Sequence, residues 1–167
     1  MDKLIIETKF VTNETGEIEA LAWPFGTPDR VGDIIEKGAF AAVKLPLTML
    51  FGHDQNDPIG VWTEATEADD GLRLKGRLLV DDVARAREVR ALVQSGAVRG
   101  ISIGFISRKA VARNGGGRTI SNLELLEASL VSLPMHPGAR ITSAKSALKA
   151  LGIADALNRA AALFSRT

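Results

Sequence analysis

Gly100-Ile101-Ser102-Ile103-Gly104-Phe105 alternates without exception, with Ile101, Ile103 and Phe105 on one side and Gly100, Ser102 and Gly104 on the other. A period of two is the mark of a strand that buries one face, so the stretch predicts a β-strand and directs Ser102 away from the apolar side chains. Its glycine neighbours have no side chain with which to crowd a substrate. A serine hydroxyl is a weak nucleophile at its own pKa and needs a base within hydrogen-bond reach and a third group to orient that base. Gly100–Gly104 also matches the G-x-S-x-G elbow, but that motif needs a strand–turn–helix over a parallel sheet. Here the residues after Ser102 continue as strand. The plainer alternative is a hydroxyl satisfied within a sheet.

Outward from this strand the pattern is strand-rich. Residues 3–12 and 17–23 are apolar-rich runs separated by Asn13-Glu14-Thr15-Gly16, which predicts an opening β-hairpin. Trp23–Arg30 is a Pro/Gly loop, and Ala39–Lys44 predicts a short helix stopped by Pro46. Leu47–Phe51 is a strand that gives way to the polar loop around His53, and Asp69-Asp70-Gly71 joins two strands in a hairpin. In the second of these, Leu72, Leu74 and Leu78 oppose Arg73, Lys75 and Arg77. Asp81 and Asp82 are candidate N-caps for a helix to about Ser95, with Gly96 as its stop and Val83, Ala86, Val89 and Val93 facing the core. Asn114–Gly117 is a loop, and Thr119–Leu133 is one long strand or two with a bulge, ended by Pro134 and Pro137. Beyond Thr142 the chain turns to Ala, Leu, Lys and Ser and predicts two amphipathic helical segments broken at Gly152.

A chain of 167 residues fits one domain. With 21 basic and 20 acidic residues it carries no strong charge, which argues against a nucleic-acid partner. The absence of cysteine excludes a disulfide framework, a thiolate metal site and a cysteine nucleophile, and suits a reducing cytosol. No segment has the apolar length of a signal peptide or a membrane span, so the expectation is a soluble intracellular protein.

Two histidines are available as a base, His53 and His136. His53 lies where a strand meets a loop, the rim position at which catalytic groups tend to be carried; an ordinary surface histidine is the competing reading. Glu127, inside the apolar run Leu125–Val131, is a costly place for a carboxylate unless it is paired. Pairing with the His53 ring would resolve the cost and fix the tautomer, whereas a salt bridge to an arginine would explain it structurally. A metal site could recruit His53, Asp54, Asp57 and His136, but the spacing matches no zinc pattern, and Asp54 and Asp57 suit turns.

Taken together, Gly32-Asp33-Ile34-Ile35 with Gly38-Ala39-Phe40, Gly52-His53-Asp54 with Pro58-Ile59-Gly60, Gly71-Leu72 with Gly76, Gly96–Phe105, and Glu127–Pro134 resemble, in this order, the caudovirus prohead maturation proteases. These are serine endopeptidases structurally akin to the herpesvirus assemblins. The resemblance covers roughly residues 3–142. It implies a mainly β protein with helices (α+β), a compact antiparallel barrel surrounded by helices. It also implies Ser102 as nucleophile, His53 as general base and Glu127 as third member. His136 stays as the alternative, because the assemblins use a second histidine and because Pro134-Met135-His136-Pro137 departs from the family's usual Pro-Ala-Asn-Pro.

The implied protease domain is 1–142, with 143–167 a helical tail that is removed or docks. Implied partners are the major capsid protein with its scaffolding segment, other prohead proteins, the chain itself as substrate and, as an option, further copies in a homo-oligomer. No cofactor or metal is called for, and the site of action is the assembling prohead in the host cytoplasm. An inactive capsid-assembly or scaffolding module with the same barrel, and a metal-dependent hydrolase at His53, Asp54 and Asp57, are the rival readings.

Overall fold

A computed structural model describes residues 16–143. The chain runs β1 (Glu17–Pro24), β2 (Ile34–Ile35), β3 (Leu47–Phe51), β4 (Pro58–Glu67), β5 (Gly71–Leu78), α1 (Ala84–Ser95), β6 (Gly100–Ala112), β7 (Arg118–Val131) and β8 (Arg140–Ser143). Neighbouring strands follow the order β7-β3-β4-β5-β1-β8-β6, and β6 returns to β7, closing a seven-stranded barrel. Closure removes the open sheet edges that invite aggregation. All pairings in the ring are antiparallel except β3 with β7, and the two-residue β2 joins β7 in parallel beside it.

The barrel fills with the side chains that alternation sends inward. Ile18, Leu74, Ile101 and Leu130 are buried, as is Trp62, whose indole N–H donates to the Ala128 carbonyl at 2.9 Å. On β5, Leu72, Leu74 and Leu78 face in while Arg73, Lys75 and Arg77 face out, as the pattern predicts. The Asp69-Asp70-Gly71 hairpin forms between β4 and β5, and β6 and β7 turn through Asn114–Gly117. At the turn end of that long hairpin the buried carboxylate of Asp33 accepts the Arg118 backbone N–H at 2.8 Å and forms an ion pair with its guanidinium. Arg118 holds the Asp33 carboxyl below its ordinary value.

Three expectations need correction. Helices do not surround the barrel: among the described residues α1 is the only helix. The helix expected over Ala39–Lys44 is instead a run of turns. Gly38 takes a left-handed φ of 96°, and the Glu67 carboxylate captures the N–H groups of Gly38 and Phe40, so no i→i−4 ladder develops there. The N-cap of α1 is Val83, with no side-chain cap, so neither Asp81 nor Asp82 fills that place. The rest of α1 is as expected, with Ala86, Val89 and Val93 buried and Gly96 stopping it at a φ of 78°. The strand expected within residues 3–12 and the tail helices lie outside the described residues.

Candidate active site

The site is assembled on β7, which has β6 on one edge and β3 on the other. In register, Ser129 of β7 lies between Leu50 of β3 and Ser102 of β6, and Glu127 lies between Thr48 and Gly104. Side chains directly opposite in a sheet share a face, so Ser102, Gly104, Glu127 and Ser129 are on one side of it. That side is the outside of the barrel, because the alternate residues Ile101, Ile103, Ala128 and Leu130 belong to the core.

His53 reaches this face because β3 ends in an abrupt reversal. Gly52 and His53 both take left-handed backbone, at φ 64° and 63°. For histidine that conformation is uncommon and costs roughly 1–2 kcal/mol. It persists because hydrogen bonds hold the turn: Gly52 N–H to the Leu130 carbonyl at 3.0 Å, Asp54 N–H to the Phe51 carbonyl at 3.2 Å, and His53 N–H to Ser129 Oγ at 3.1 Å. The chain therefore doubles back along β7, and His53 Nδ1 meets Glu127 Oε1 at 2.7 Å. The other carboxylate oxygen, Oε2, accepts from the Ser129 hydroxyl at 2.6 Å. The Glu127 side chain is 13% exposed and that of His53 44%, so the carboxylate is largely withdrawn from water while the imidazole stays open to a ligand.

With Glu127 ionised, Nδ1 carries the ring proton and Nε2 keeps its lone pair, the form of imidazole that can take a proton from a hydroxyl. Ser102 is buried and sits beside Ser129; among the described residues no hydrogen bond engages its hydroxyl. Ser129, wholly buried, is bound on both sides. Of two serines facing each other across the ladder, Ser102 is the one whose proton is uncommitted.

His136 lies elsewhere in its hydrogen bonding. Its Nδ1 accepts the Gly138 N–H at 3.1 Å, and its Nε2 faces the Thr27 carbonyl at 3.1 Å and Thr27 Oγ1 at 3.3 Å. Its ring meets Trp23 edge-on at 4.9 Å. It shares with Ser102, Trp23 and Met135 the lining of a small cavity of about 20 Å³. The residues of the metal reading do not converge. Asp57 pairs with Arg85 at 3.1 Å, Asp54 caps its own turn through the Asn56 N–H, and among the described residues no three His, Asp or Glu side chains form a metal-binding group.

The glycines around Ser102 serve a purpose that the alternation pattern does not reveal. A Cβ on Gly100 would stand 2.7 Å from Pro134 Cδ, and one on Gly104 would run into the Glu127 carboxyl. Both positions make room for the protein's own atoms, Pro134 at Gly100 and Glu127 at Gly104. Ser129 was also missed, although the spacing Glu127-x-Ser129 places both on one strand face and so carried a usable signal.

Residues 4–152 match the sequence family described as caudovirus prohead serine protease. The chain is 34% identical over 148 residues to a capsid polyprotein of Pseudomonas phage PAJU2, which covers 84% of this chain and 22% of that protein. It is 32% identical over 148 residues to the prohead protease of Enterobacteria phage HK97, covering 84% of this chain and 65% of that one. The chain thus spans between about a fifth and two-thirds of these relatives. Among solved structures, a KSHV protease in complex with a hexapeptide phosphonate inhibitor superposes with a TM-score of 0.54 at 14% identity, covering 77% of this chain and 64% of that one. That likeness is one of fold.

Proposed function

Because the chain belongs to the caudovirus prohead serine protease family, we propose that it is a serine endopeptidase of phage capsid maturation, with Ser102 as its nucleophile. His53 Nε2 takes the Ser102 proton as Oγ attacks a peptide carbonyl, and Glu127 stabilises the imidazolium that forms. The tetrahedral intermediate collapses, the imidazolium gives its proton to the leaving amine, and an acyl-enzyme remains. Water, deprotonated by the same histidine, then releases the acid. No cofactor enters these steps.

The observation that carries this reading is the 2.7 Å contact of His53 Nδ1 with Glu127, on the sheet face that presents Ser102. It supports Glu127 over His136 as third member, since both His136 ring nitrogens are engaged with Thr27 and Gly138. The substrates would be the scaffolding segment of the major capsid protein, other prohead proteins and the chain itself, inside the assembling prohead in the host cytoplasm. Residues 1–142 would form the protease, and 143–167 a segment that is cut away or docks.

The test is co-expression with the cognate capsid protein, with mass spectrometry of every new terminus and labelling of the purified chain by a fluorophosphonate. Wild type should process the capsid protein and take the label on Ser102. Loss of a nucleophilic serine costs about 10⁶-fold in turnover, so Ser102→Ala should do neither. Unchanged processing by Ser102→Ala would refute the assignment and favour an assembly module without activity of its own.

A further inference from the structure

We infer that Ser129 is the positioning residue of this site, acting on both His53 and Glu127 through one hydroxyl; the inference rests on the protease reading above. The geometry leaves its Oγ little choice. A carboxylate only accepts, so at 2.6 Å from Glu127 Oε2 the Ser129 hydroxyl is the donor. A lone pair of the same oxygen then accepts the His53 backbone N–H at 3.1 Å. Ser129 is wholly buried, so no water replaces either bond without a change in packing.

Two effects follow from one atom. The bond to Oε2 holds the Glu127 carboxylate in the rotamer that offers Oε1 to His53 Nδ1 at 2.7 Å. The bond from the His53 N–H stabilises the left-handed φ of 63° that aims the imidazole back along β7. Without the hydroxyl, the carboxylate loses its second anchor and the strained backbone one of its restraints, in a site where placements off by about 1 Å cost on the order of 10²-fold. Because Ser129 faces Ser102 across β6 and β7, the fixed direction of its proton also keeps it from offering a competing donor or nucleophile to a substrate.

The test is the rate of fluorophosphonate labelling at Ser102 in a double-mutant cycle of Ser129→Ala with Glu127→Ala, with folding followed by circular dichroism. Ser129→Ala alone should slow labelling by about 10–100-fold, and Ser129→Thr, which keeps the hydroxyl, should recover most of the rate. In the Glu127→Ala background, where one of the two groups it orients is gone, Ser129→Ala should lower the rate by much less than it does alone. A purely structural serine would give losses that multiply, and that result, or wild-type labelling by Ser129→Ala, overturns the inference. If Ser129→Ala fails to fold, Ser129→Cys, close in volume and a weak donor, is put through the same cycle with the same expected coupling. A wild-type chain that takes no label at all overturns the protease reading instead.

Discussion

Replacing Gly104 by alanine should disable the site without unfolding the barrel. Gly104 is the register partner of Glu127, and an added Cβ would lie 3.1 Å from Glu127 Cγ and Cδ and nearer still to Oε1. That oxygen is the one bonded to His53. The β6 backbone is held by regular pairing with β7 from Gly100 to Gly104, where a register shift follows, and the glutamate side chain is the softer partner, so it yields first. Turning it away breaks its bonds to His53 and Ser129 together. Outright loss of a third member costs on the order of 10⁴-fold in related constellations, and a carboxylate displaced but still nearby should cost about 10²–10³-fold, or roughly 3–4 kcal/mol of barrier. Stability should fall by only about 1–2 kcal/mol. Gly104 is outside the left-handed region, so alanine gains roughly 0.4–1 kcal/mol through the unfolded chain, against roughly 1 kcal/mol for each lost hydrogen bond. The measurements are the fluorophosphonate labelling rate and the urea midpoint of the same variant. Labelling within about threefold of wild type would refute the claim that this glycine exists to admit Glu127, since removing a group that acts in the transition state shows directly in the rate.

Other positions test the scaffold. Asp33→Asn should cost about 1–3 kcal/mol at neutral pH in urea unfolding, because it removes a buried charge partner of Arg118. Arg118 lowers the Asp33 value below 3.8, so this stabilisation is fully present above that pH and is lost as the pH falls from there through the lowered folded value; the gap between wild type and variant should close in that window and nowhere above 3.8. Trp62→Phe deletes the donor to the buried Ala128 carbonyl and should lower stability by about 1–3 kcal/mol in the same assay.

How far the site could be read without coordinates depended on the kind of constraint involved. The strand and outward face of candidate Ser102 were legible because alternation maps directly onto sheet faces, and His53 and Glu127 stood out as candidates because they lie in ordered blocks. The proximity of those two was not legible, since it needs a parallel β3–β7 pairing and a left-handed turn at Gly52-His53, and neither leaves a periodic trace. The same limit explains the missing helix at Ala39–Lys44, where the apolar and alanine content was right but a distant Glu67 had claimed the backbone donors. Gly104 shows a subtler limit: an absent side chain says that space is needed, and only the register says for what.

The register and the turn together explain why a barrel with a single described helix suffices to hold such a site. Ser102 and Glu127 come from adjacent strands of a closed sheet, so the spacing of their backbones is fixed by the register of β6 on β7. His53 is the exception, because it stands beyond the end of β3 on the loop that runs to Pro58. That loop is closed on itself, with Phe51 N–H bonded to the Asp57 carbonyl at 3.2 Å and Asp57 N–H to the Asp54 carbonyl at 3.0 Å. It is then braced from outside by α1: Arg85 pairs with Asp57 at 3.1 Å and lies 4.6 Å over the Phe51 ring, while Glu88 fixes the other side of the guanidinium at 2.9 Å. Exposed ion pairs contribute little to stability. Their value here is geometric, because a guanidinium that holds both ends of a seven-residue turn, Phe51 and Asp57, limits the excursions of the one site residue that the barrel's own ladder does not reach.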